Sequence, residues 1–157
     1  MAAITQIALT HPRYTLLETI AILNQTANST AVTKAIATPN WAQYATFVVD
    51  GLTMTGTTPL FDFIIGGVNI AVTQPPDDGD LIPLGGWDGI TQKTAATNTT
   101  TTIDIGPNVT TDDTGSATAS DHYGITAVLP PWLYYTYTTD GTTDDEDYDA
   151  TISVFFR

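Results

Sequence analysis

Tyr148-Asp149-Ala150-Thr151-Ile152-Ser153-Val154-Phe155-Phe156 is the stretch from which the fold is read. Its even positions, Tyr148, Ala150, Ile152, Val154 and Phe156, are apolar. Its odd positions are Asp149, Thr151, Ser153 and Phe155. A period of two predicts a strand with one buried face, because successive strand side chains point to opposite sides. Just upstream, Trp132-Leu133-Tyr134-Tyr135-Thr136-Tyr137-Thr138-Thr139 is aromatic and β-branched throughout and predicts a second strand. Pro130-Pro131 would start it sharply. Asp140-Gly141 and an acidic run to Asp147 separate the two, which reads as a hairpin with a long loop.

The same period recurs outward from this end. Tyr123 to Leu129 sets Ile125, Ala127 and Leu129 against Gly124, Thr126 and Val128. Tyr44 to Thr53 sets Ala45, Phe47 and Val49 against Thr46, Val48 and Asp50. Pro59-Leu60-Phe61-Asp62-Phe63-Ile64-Ile65 is apolar on both sides, as in a central strand or one at an intersubunit contact, and Gly66-Gly67 is read as its end or a bulge. Short strands are expected at Val68–Val72 and around Ile103 and Ile105. Thr15-Leu16-Leu17-Glu18 fits a helical capping box. The β-branched Thr19, Ile20 and Ile22 and the Ala27-Asn28-Ser29 turn instead favour a hairpin over residues 15–33. Residues 73–79, 91–102 and 108–121 read as loops, and there is no fixed-period repeat.

Composition points the same way. Of 157 residues, 32 are Thr, and 15 of the 17 acidic residues are Asp, a turn former and poor helix former. The expectation is one all-β domain, an antiparallel β-sandwich of jelly-roll type over 15–157, preceded by an N-terminal arm over 1–14. A formal net charge of −13 leaves no electrostatic footprint for phosphate, so nucleic acid is not an expected partner. With no Cys, disulfides, thiol nucleophiles and Cys-metal sites are excluded. No apolar window is long enough to span a membrane, and Met1–Gln6 lacks the basic and apolar regions of a secretory signal.

Candidate sites are sparse. The only histidines are His11 and His122, and Ser120-Asp121-His122 are sequence neighbours that do not converge as a triad. Asp50, Asp62 and Asp104 fall in predicted strands, where a solvent-facing carboxylate is the plain reading. Asp77-Asp78-Gly79-Asp80 and Asp144-Asp145-Glu146-Asp147-Tyr148-Asp149 offer oxygen ligands of the type calcium takes, without EF-hand spacing. Trp41, Trp87 and Trp132 adjoin turn signals and are read as packing or interface residues, with sugar stacking as the alternative. No enzyme constellation and no cofactor are expected.

Four stretches carry a resemblance. They are Ala45–Thr53 leading into Pro59–Gly67; Leu84-Gly85-Gly86-Trp87-Asp88-Gly89-Ile90-Thr91; Leu129-Pro130-Pro131-Trp132 through Gly141; and the closing Ala150–Phe156. Together they resemble small β-sandwich virion structural proteins of tailed bacteriophages, of the capsid cement or decoration type. Asp-Gly follows Trp87 here, where in that family it more often precedes the Trp. The resemblance implies a non-enzymatic structural role, often as a homotrimer seated on the major capsid protein. Strong acidity fits the capsid exterior, away from packaged DNA. On this reading Phe61, Phe63, Ile65 and Trp132 make core or oligomer contacts, and Ile4, Ile7, Leu9 and Arg13 in the arm touch the shell. A carbohydrate-binding module of a phage tail or fibre is the alternative.

Overall fold

The structure, a computed structural model, describes residues 5–7, 13–26, 29–68, 81–83, 93–110 and 120–157. These form ten strands and no helix: β1 (Thr5–Ile7), β2 (Tyr14–Gln25), β3 (Thr30–Ala37), β4 (Ala45–Thr55), β5 (Leu60–Val68), β6 (Leu81–Pro83), β7 (Ala96–Gly106), β8 (Asp121–Thr126), β9 (Trp132–Asp140) and β10 (Glu146–Phe156). One sheet has the order β1-β3-β9-β5-β6 and the other β2-β10-β4-β7-β8. Neighbours are antiparallel except for β1 beside β3 and β7 beside β8. Without β1 and β8, the sheets are β3-β9-β5-β6 and β2-β10-β4-β7, the two four-stranded halves of a jelly roll. The all-β sandwich expected from the sequence is the observed fold.

The pairing differs from expectation in two places. β9 and β10 are not a hairpin, because β9 pairs with β3 and β5 while β10 pairs with β2 and β4 in the opposite sheet. The connecting loop therefore arches between layers roughly 10 Å apart. β2 and β3 are both strands, as favoured over a helix, but they too lie in opposite sheets. In each case the two strands carry one strongly apolar face, and facing each other across the core buries both faces, which side-by-side pairing alone would not.

Other extents differ as well, and β8 spans Asp121–Thr126, stopping short of the Leu129 to which its alternation runs. β5 runs through Gly66-Gly67 to Val68 rather than stopping there. Gly66 is required by contact, since a Cβ would stand 2.1 Å from the Tyr134 ring. β7 begins at Ala96, inside the stretch read as a loop. Thr99 and Thr101 are buried there while Thr100 and Thr102 are half-buried, so the period of two is present but spelled in one residue type on both faces. Within residues 1–14, expected to form an arm, Thr5–Ile7 runs beside β3 and Tyr14 opens β2. The expected strand at 69–72 and the loop at 73–79 lie outside the described residues.

The core fills the space between the layers. Phe47, Phe63, Tyr135, Tyr148 and Phe156 are its largest buried rings, packed with Ile36, Leu52, Ile65, Ile103, Ile105 and Ile152. Diagonal cross-strand pairs join β5 to β9, with Phe63 and Tyr135 at 5.7 Å and Phe61 and Tyr137 at 6.4 Å between ring centroids. A smaller cluster of Ala35, Val68 and Tyr134, with Trp132 against it, lies on the other face of the first sheet.

A bulge in β2 re-aims one carboxylate. Ile152 pairs with Glu18 but Ser153 pairs with Leu16, so Leu17 is the extra residue. Leu17 joins the core, and Glu18 also turns inward. There it accepts hydrogen bonds from the Tyr135 and Tyr137 hydroxyls, each at 3.0 Å, and pairs with Lys34 of β3 at 2.8 Å. Burial pushes both hydroxyls well above the usual tyrosine value of 10.0, and the Glu18 charge pushes the same way. This clasp ties the two sheets at their β2/β3 edge.

Candidate functional site

The outer face of the β2-β10-β4-β7-β8 sheet carries the most distinctive exposed chemistry. Strand alternation puts Phe155, Ser153 and Thr151 of β10 on this face in one row. Register sets Phe155 between Tyr14 and Thr46, and Ser153 between Leu16 and Val48. Thr151 lies beside Asp50, where the positive φ of Gly51 (68°) bulges β4. The small Ser153 between larger neighbours leaves a groove of about 430 Å³ lined by Tyr14, Val48, Asp50, Thr151, Ser153 and Phe155. One end is aromatic: the Tyr14 and Phe155 rings are 4.7 Å apart and both are substantially exposed. The other end is polar. Asp50 accepts a hydrogen bond from Thr100 Oγ1 at 2.7 Å, and Thr151 Oγ1 donates to the Asp50 carbonyl at 3.4 Å. Leu16 extends the apolar end.

Farther across the same face, Asp104 gathers three partners. Thr46 Oγ1 donates to it, His122 Nε2 lies at 2.9 Å, and the Arg157 guanidinium at 3.8 Å. Arg157 also sits 5.0 Å over the Tyr44 ring. His122 is on strand β8. The three neighbours tested as a triad diverge. Ser120 Oγ accepts from the Thr100 amide, Asp121 is buried, and His122 is exposed on Asp104. The triad geometry is therefore absent.

The acidic loop between β9 and β10 is organised by threonines. Asp145 accepts from Thr143 and Thr57 side chains, which hold its carboxyl below the usual range. For Glu146, burial opposes ionisation, but donors from Thr143 and Thr58 outweigh it and its carboxyl is also lowered. Glu146 is fully buried, and Gly141 packs where a Cβ would stand 2.4 Å from its carboxyl carbon. Among the described residues no group of three or more His, Asp or Glu side chains is arranged to hold a metal ion. Asp77–Asp80 lie outside those residues.

The sequence-predicted contacts scatter. Phe61, Phe63 and Ile65 lie inside the sandwich core. Trp132 is half-buried against Ala35, Val68 and Tyr134. Ile7 is in β1, and Arg13 is exposed next to the outer face, its carbonyl accepting the Phe156 amide at 2.9 Å. Ile4, Leu9 and Trp87 lie outside the described residues. Trp41 is half-exposed beside a smaller groove of about 290 Å³ walled by Pro39, Leu129, Pro130 and Pro131. The residues that sequence reasoning missed are Tyr14 and Leu16, obscured by the capping-box reading, and Phe155. Phe155 was visible as the one aromatic on the polar side of the β10 alternation. No protein-family model matches the chain, and no curated protein sequence matches it.

Proposed function

We propose that this chain is a non-enzymatic virion structural protein of a tailed phage, which seats on the exterior of the capsid shell and reinforces it as a homotrimer. The observation that carries the reading is the exposed Tyr14–Leu16–Phe155 patch, directly beside Arg13 where β2 begins. Apolar rings standing together on an acidic surface are the composition of a docking face. Phe61, Phe63 and Ile65 then act as core, and the trimer and shell contacts fall to exposed surface. The major capsid protein is the partner in this reading, with the capsid exterior as the location. Quantitative mass spectrometry of purified particles tests it. A copy number comparable to the shell subunit is expected, and Phe155→Asp should strip the protein from shells while leaving its circular dichroism unchanged. Absence from the particle overturns the proposal.

A second reading rests on the groove itself. An aromatic pair facing Asp50, Thr151 and Ser153 is the chemistry that holds a neutral sugar ring, with stacking on one side and hydroxyl acceptors on the other. It would suit a tail or fibre component present in few copies. Titration with neutral polysaccharides, followed by chemical-shift changes at Val48 and Thr151 that disappear in Phe155→Ala, separates it from the shell reading.

A further inference from the structure

At the edge opposite the Glu18 clasp the two sheets are joined by a second pair. Lys93 exchanges both backbone hydrogen bonds with Phe61 of β5, at 2.9 and 3.0 Å, as an isolated bridge on the first sheet. Asp121 opens β8 opposite Thr101 on the second sheet. Their side chains are 1% and 3% exposed, and Lys93 Nζ contacts Asp121 Oδ2 directly. The Tyr123 hydroxyl, on a side chain that is itself buried, donates to the same oxygen at 3.4 Å. Phe61, with 2% exposure, is Lys93's bridge partner.

Desolvating an ammonium and a carboxylate together is costly, and their mutual attraction need not repay it. A strand bridge on one side and a strand start on the other hold the amine nitrogen against the carboxyl group. Such fixed contact raises the effective concentration of amine at acid by orders of magnitude. A dry site also gives little access to the water that would reverse a condensation.

We propose that Lys93 and Asp121 condense into an intramolecular amide, covalently linking the two sheets. One proton passes from Nζ to the carboxylate within the pair, leaving a neutral amine and a carboxylic acid. The nitrogen lone pair attacks Asp121 Cγ, and a C–N bond forms. The C–Oδ2 bond breaks, and that oxygen leaves as water with two of the three ammonium hydrogens. The third hydrogen stays on the amide nitrogen. No oxidant, reductant or cofactor enters the balance. Tyr123, hydrogen-bonded to Oδ2, donates its proton to the departing oxygen and regains one from the nitrogen. The linked residues are 28 apart in sequence, so the product closes a loop containing all of β7.

Trypsin followed by mass spectrometry of the denatured full chain tests this. Cleavage after Lys34 and Lys93 of an unlinked chain releases 35–93 and 94–157 as separate fragments. An amide on Nζ blocks cleavage at Lys93, so the expected product is a single 35–157 fragment lighter than its sequence mass by one water. Because this reading is taken on wild-type chain, it does not depend on a variant that folds. Lys93→Met and Asp121→Ala should each restore full sequence mass, and Tyr123→Phe should fold but accumulate the lighter species more slowly. Recovery of free 94–157 at full mass from wild-type protein overturns the proposal.

Discussion

The two edges of the sandwich are joined by the same chemical pair in different surroundings. At the β2/β3 edge, Glu18 and Lys34 meet with side chains 13% and 22% exposed, and two tyrosine hydroxyls share the carboxylate. At the β5/β8 edge, Lys93 and Asp121 meet with almost no exposure. The first pair keeps part of its hydration, while tyrosine hydroxyls donate to the carboxylate at both edges. The second depends far more on its partner, because either charge left alone there would be buried. Burial, rather than the identity of the pair, decides how much each edge contributes.

Cutting the dry edge should produce the largest effect. Lys93→Met leaves Asp121 buried without its cation and should cost about 3–5 kcal/mol in denaturant unfolding, before any loss of a covalent link. If the cost is under about 1 kcal/mol, the two edges are equivalent and the contrast fails.

Raising pH should attack the hydrated edge. Tyr135 and Tyr137 have folded values raised above 10.0, with Tyr134 and Tyr148 raised in the same direction. Below about pH 10 the folded and unfolded chains both hold these protons, and the contribution is fully present. Above it the unfolded chain releases them while the folded chain retains them, so stability falls as pH rises toward the folded values. The melting temperature should therefore drop steeply above pH 10, and less so in the Tyr135→Phe, Tyr137→Phe double variant. An identical alkaline profile in that variant would remove the tyrosines from the account.

Lys34→Met should have the smallest effect, about 0–1 kcal/mol, because the partly hydrated Glu18 keeps its two tyrosine donors. Added salt should shrink that difference further, whereas the Lys93→Met cost should barely respond.

Strand positions were legible because period-two alternation with Thr, Val, Ile and aromatics encodes one buried face locally. Partners were not legible, since the hairpin rule assumes that strands adjacent in sequence are adjacent in a sheet. In this sandwich β2, β3, β4 and β5 alternate between layers, and so do β9 and β10. Nothing within Asp140–Asp147 distinguishes an arch from a turn. The tract around Thr97–Thr102 hid its period because Thr suits both faces of a half-buried strand. Glu18 matched a helix cap only because a bulge is invisible in composition. Lys93 was also overlooked, although a chain with four cations and 17 carboxylates gives each cation ample acidic partners.

The position of β10 governs the order in which the molecule can be made. It lies between β2 and β4, so the second sheet has a gap in its middle until Glu146–Phe156 has been synthesised. A nascent chain that has already emitted β2 and β4 carries two long unpaired edges while the ribosome completes the remaining strands. Closure then joins β10 to β2, more than a hundred residues upstream, a slow kind of pairing. Ribosome stalling before Glu146 should therefore yield aggregates rather than a partly folded domain.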